Sequence, residues 1–191
     1  FYIPFNPEME TTGTPYLTNK GEFFLAVHDK ATNFKLGSKL RLYQSELKNN
    51  IPTITEIYFK ENKPIEFMMD WWEEKNVLAV GGLYYNFYSK SIEGAYSAYI
   101  TPGIQKADSL FYNRMNKKFK KGLRSRIYDM SLDDAINSLQ TRYFKVLPEG
   151  KTILLSDMFN NFTFSRSMLN NNLSTSGFRN RPSGYTSTVV T

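Results

Sequence analysis

The residues able to do chemistry are few and scattered. The single histidine, His28, stands beside Asp29, and the chain has no cysteine. An imidazole next to a carboxylate is half of a general-base pair and needs a nucleophile to activate. No thiol exists for that role, and no serine sits in the Gly-x-Ser-x-Gly turn that would present its hydroxyl. His28 therefore reads as a surface residue or a core residue whose hydrogen bonds are met. One imidazole excludes metal centres built on two, and the missing thiols exclude disulfides and zinc–thiolate sites. Their absence also fits a reducing compartment. Glu66, Asp70, Glu73 and Glu74 would share one side of a helix and could there hold Mg²⁺. Acidic helix faces are common and ligand clusters rare, so no metal is expected. Asp129, Asp133 and Asp134 are better explained as the acidic start of a helix. There is no Gly-x-x-x-x-Gly-Lys loop and no Gly-x-Gly-x-x-Gly turn. No cofactor is expected, and the chain is not expected to be an enzyme.

Charge gives the strongest pattern. Gly103 to Tyr128 holds eight of the 24 Lys and Arg residues and one acid, Asp108. That segment carries +7, and the rest of the chain sums to −1. At about 100° per residue, Ile104, Ala107, Phe111, Met115 and Phe119 fall in one arc of a helix. Lys106, Arg114, Lys117, Lys120 and Lys121 fall in another. Pro102-Gly103 and Gly122 punctuate the ends, which predicts a helix of about 18 residues with one face docked and one basic. Lys118 interrupts the apolar arc and must snorkel out of it. The candidate contact residues are Arg114, Lys117, Lys120, Lys121, Arg124 and Arg126. Such a band can be a solvated face, can grip a phosphate backbone without reading sequence, or can meet an acidic protein surface. The 66–74 segment of another subunit is one such surface.

The elements that must position these residues follow from periodicity. At 191 residues one domain is expected, and the 16% aromatic content suits sheets and large interfaces. Strands are expected at 22–28, 35–44 and 51–59, and a hairpin over 77–100 in which Gly81-Gly82 marks a bulge or a close backbone approach. Residues 65–75 read as a helix started by Pro64, with a strand as the other reading. A second helix is expected over 131–147, capped by Ser131, with Leu132, Ile136, Leu139 and Tyr143 as its buried stripe. Strands at 151–159 and 161–166 complete an α+β fold, a mainly antiparallel sheet with two packed helices.

Both ends read as extended arms. Residues 1–20 carry Pro4, Pro7 and Pro15 among the aromatic anchors Phe1, Tyr2 and Phe5. Residues 167–191 are polar and acid-free, with Phe178 and Tyr185 spaced like anchors. The domain proper is expected over 21–166. The start at Phe1 rather than Met reads as trimming or processing, and no signal peptide is expected. No apolar run approaches the roughly 20 residues that span a bilayer, so no membrane partner is expected. The leading expectation is a structural subunit of a large symmetric assembly, most plausibly a virus or bacteriophage particle (capsid, neck or tail). Its partners would be copies of itself and other subunits, and its location the virion, or the cytoplasm before assembly. The alternative is a nucleic-acid-binding protein using the basic helix 103–126, in the manner of a ribosome-associated protein.

Overall fold

Alternation of buried and exposed residues governs most of the chain. The computed structural model describes residues 10–29, 38–46, 52–105, 107, 109–124, 131–158 and 185–190. They form three antiparallel sheets and two short helices, so the fold is α+β with strand strongly dominant. Sheet A contains β1 (Glu10–Thr12), β2 (Tyr16–Leu17), β3 (Glu22–Asp29), β4 (Lys39–Glu46) and β5 (Thr53–Tyr58). β1 and β2 both pair with β3, and β4 and β5 follow in order. Sheet B contains β6 (Asn62–Pro64), β7 (Met68–Trp72), β8 (Val77–Asn86), β9 (Ser91–Ile100) and β10 (Ser109–Arg114). β6 and β7 pair with different stretches of β8, and β9 and β10 extend the other side. After α1 (Lys117–Arg124) and α2 (Leu132–Asn137) come β11 (Leu139–Val146), β12 (Thr152–Met158) and β13 (Tyr185–Val190), which form sheet C.

Sheet B is the middle layer, buried on both faces. Leu78 and Val80 of β8, with Tyr96, Ala98 and Ile100 of β9, pack against Phe24, Leu40, Leu42 and Ile57 of sheet A. Ala79 and Leu83 point the other way, with Ile92 and Ala95, against Leu123 of α1, Ile136 of α2, and Phe144, Val146 and Leu154 of sheet C. Each large side chain fully buried in these clusters contributes about 1.5–3 kcal/mol by leaving water. The 77–100 hairpin forms as expected, and Gly81-Gly82 marks a close approach. A β-carbon at Gly81 would run into the Phe144 ring, and one at Gly82 into the Glu66 carbonyl.

Three expected helices give way to strand. Residues 109–114 pair with β9 from Ser109↔Tyr99 to Arg114↔Gly94, so the basic helix shrinks to Lys117–Arg124. The apolar arc expected on one helix face is split by sheet B. Ala107 packs on the A-side cluster, Met115 and Phe119 on the C-side cluster, and Ile104 and Phe111 are exposed. The helix expected over 131–147 ends after Asn137. Ser131 caps it as expected, its Oγ accepting from the Asp134 amide at 3.1 Å. The remainder becomes β11, with a bulge between Thr141 and Tyr143 that lets Thr141, Phe144 and Val146 face inward while Tyr143 is exposed. Within 65–75 the expected helix is absent and Met68–Trp72 is strand, the other reading. β7 pairs Met68↔Gly81 through Trp72↔Val77, because both neighbouring layers supply apolar surface to its alternate residues.

The arms are also redrawn. Residues 10–12 and 16–17, placed in the N-terminal arm, are strands of sheet A. Tyr185, expected as an arm anchor, opens β13, which pairs with β12 from Met158↔Tyr185 to Ile153↔Val190. Phe1, Tyr2, Phe5 and Phe178, and the strand expected at 161–166, lie outside the described residues.

Candidate functional site

The basic surface survives in a smaller form. Asn116 starts α1, its Oδ1 accepting from the Phe119 amide at 2.8 Å and its carbonyl from the Lys120 amide at 3.1 Å. Phe119 and Leu123 dock the helix on the C-side cluster. At about 100° per residue, Lys117, Lys121 and Arg124 then fall together away from the core and are exposed, with Lys118 flanking them and the half-buried Lys120 at the edge of the docked face. No carboxylate stands in the first turn, and no ion pair to these five cations occurs among the described residues. Lys121 and Arg124 in the last turn suit the negative end of the helix dipole, but the other charges are crowded. Lys117/Lys121 and Lys120/Arg124 are like-charged i,i+4 pairs, and two lysines sit at the positive end of the helix dipole.

Arg114 leaves this group. It lies on β10 and pairs with Glu93, its Nε 2.9 Å from Oε2. Arg126 lies outside the described residues. The brought-together set is Lys117, Lys120, Lys121 and Arg124, all on one element.

The acidic segment is largely used internally. Asp70 is buried on β7, where its Oδ1 accepts from Lys145 Nζ at 3.0 Å and its Oδ2 from the Val146 amide at 2.8 Å. The Asp70 carboxylate holds the Lys145 ammonium above its usual range, against a smaller opposing effect of burial. Glu66 accepts from the Thr141 amide. These two carboxylates tie sheet B to β11 and leave only Glu73 and Glu74 exposed in the 73–76 turn. Among the described residues no three His, Asp or Glu side chains gather as metal ligands. His28 is buried on β3, edge-on to Phe67 with centroids 5.6 Å apart, as a core residue.

A cleft that the sequence did not suggest opens beside β9 and β10. It has a volume of about 730 Å³ and runs from the β11–β12 turn to Asn113. Because opposed residues share a face, Ser109, Phe111 and Asn113 of β10 line it with Tyr99, Ser97 and Ala95 of β9. Trp72 closes the far wall. Burial raises the Tyr99 phenol above its ordinary value, partly offset by the Ser97 hydroxyl. Sheet C packs over β7 and β8 but leaves this flank of β9 and β10 open. The period-two pattern of Ser109, Phe111 and Asn113 was the available signal, masked by the basic periodicity that follows it.

No protein-family model, curated protein or solved structure matches this chain.

Proposed function

We propose that the chain is a non-enzymatic structural subunit of a large symmetric assembly, a virus or bacteriophage particle being the kind it suits best. The observation that supports this is the outer face of sheet A. An antiparallel sheet with one solvated face alternates apolar and polar residues. Sheet A has apolar residues on both faces. Its inner face joins the core, while Leu17, Phe23, Leu25, Val27, Tyr43 and Ile54 share the outer one by register. Val27 and Tyr43 there are 0% and 1% exposed, already covered within the chain, whereas Leu17 and Ile54, 61% and 40% exposed, leave apolar surface for a partner. The occupant we assign to the exposed part of this face, at Leu17 and Ile54, is another copy of the chain.

Light scattering across a concentration series tests the reading. Mass should rise with concentration, and Leu17→Lys with Ile54→Lys should lower it while circular dichroism stays unchanged. A monomer at every concentration overturns the proposal.

The second reading, nucleic-acid binding, has its own support in α1. Lys117, Lys121 and Arg124 are exposed and Lys120 is half-buried beside them, with no ion pair among the described residues, and the acidic segment that could have met them in another subunit keeps only Glu73 and Glu74 available. A phosphate backbone is then the better complement to this helix.

A further inference from the structure

We propose that the cleft between β9–β10 and the β11–β12 turn binds a neutral saccharide, with sugar rings stacked along Phe111, Tyr99 and Trp72. The cleft's volume of about 730 Å³ lies within the roughly 300–1,000 Å³ of small-ligand sites. Its aromatic rings are adjacent but angled, Trp72 tilted 56° from Tyr99 and Phe111 edge-on to Tyr99 at 72°, so each presents its own surface. The Trp72 and Tyr99 centroids are 5.7 Å apart, and those of Tyr99 and Phe111 are 6.1 Å apart.

The wall is also fixed in advance. Trp72 Nε1 donates to the Pro148 carbonyl and Tyr99 Oη to the Gly150 carbonyl, each at 3.0 Å. Gly150, at φ +85°, lets the turn close on Trp72, whose ring a β-carbon there would strike. The polar tips of both rings are thus tied back, leaving ring surface for a ligand. Binding to such a wall orders little that is not already ordered.

The remaining lining selects the ligand class. Exposed Asn113 and half-buried Ser109 place neutral donors and acceptors beside the rings. A wholly apolar ligand would strip water from these groups without replacing it. The two charged side chains, Lys75 and Glu149, are of opposite sign, so the cleft offers no net charge to a phosphorylated ligand. A pyranose has an apolar C–H face and hydroxyl edges, which match both parts of the lining. Glu149 is the single carboxylate in the described lining, whereas glycoside hydrolysis ordinarily uses two; the cleft is built for holding rather than cutting.

The test is titration of the full chain with chitohexaose, cellohexaose and maltohexaose, followed by tryptophan fluorescence and calorimetry. Trp71 is buried, so an emission change would report Trp72. At least one hexasaccharide should saturate. Phe111, 57% exposed, can be shortened without touching the core, so Phe111→Ala should weaken binding about tenfold at an unchanged melting temperature. That corresponds to about 1.4 kcal/mol for one aromatic contact. Asn113→Ala should weaken it too, and Leu17→Lys with Ile54→Lys, on another sheet, should not. Failure of all three sugars overturns the proposal. So does undiminished binding by both cleft variants, or saturation of the cleft by oligothymidylate or oleate instead.

Discussion

Replacing Lys117, Lys120, Lys121 and Arg124 together by glutamine should leave stability nearly unchanged and make the protein a worse ligand for polyanions. Glutamine has nearly the helix propensity of lysine and arginine, so the change is one of charge. It removes two like-charged i,i+4 pairs, each costing about 0.2–0.5 kcal/mol, and Lys117 at the positive end of the helix dipole, but also Lys121 and Arg124, which stabilise its negative end by about 0.3–1 kcal/mol each. These contributions offset, so stability in urea at low salt should change by less than about 1 kcal/mol. Phe119 and Leu123, which hold α1 on the core, are untouched. If the four cations each neutralise one duplex phosphate, binding should follow a salt slope of roughly −3.6. Affinity would then fall roughly 150-fold between 50 and 200 mM salt. Fluorescence anisotropy with two unrelated duplexes should show that slope for both in the wild type and its loss in the variant. A wild type that binds neither duplex, or a variant that keeps the wild-type slope, refutes the nucleic-acid reading. A variant that loses well over about 1 kcal/mol refutes the balance of charges drawn for α1 itself.

Two further outcomes follow from the core. Asp70→Asn keeps the shape of the buried side chain but removes the charge that holds Lys145 and the Val146 amide, so urea denaturation should show a loss of about 2 kcal/mol; unchanged stability would mean that this link between sheets B and C is incidental. Tyr96 is held well above the ordinary tyrosine value by burial, and Tyr84, Tyr99 and Tyr112 are raised by the same cause. The native state thus keeps protons that the unfolded chain releases, so stability should be intact below about pH 10 and fall above it. Absorbance at 295 nm should show these phenols ionising late and together with unfolding, and a single step at the ordinary value with flat stability would contradict it.

Where local pattern and tertiary demand agree, the sequence alone was sufficient. The hairpin over 77–100, β3, β5 and β12 are runs of β-branched and aromatic residues between turn signals. The Ser131 cap forms because a side-chain oxygen three residues before a free amide needs no distant partner. The concentration of charge near residues 117–124 is likewise a property of sequence, since no fold can move it along the chain. Gly81-Gly82 announced a close approach, although only Phe144 and Glu66 explain what approaches.

Tertiary structure decided the rest, chiefly by taking segments with helical periodicity into sheets. Leu132, Ile136, Leu139 and Tyr143 recur at helical spacing, but a six-residue helix followed by a bulged strand buries Leu139, Phe144 and Val146 while extending a sheet over β7 and β8. Residues 104–119 likewise fit one helix face. Sheet B instead needed a strand beside β9, and pairing Ser109–Arg114 there satisfies the ladder and sends Leu110 and Met115 into different clusters. Spacing records which residues could share a face of an isolated element. It does not record that the middle layer of three has two faces to cover, and that layering also places Trp72, Tyr99, Phe111 and the 148–150 turn around one cleft.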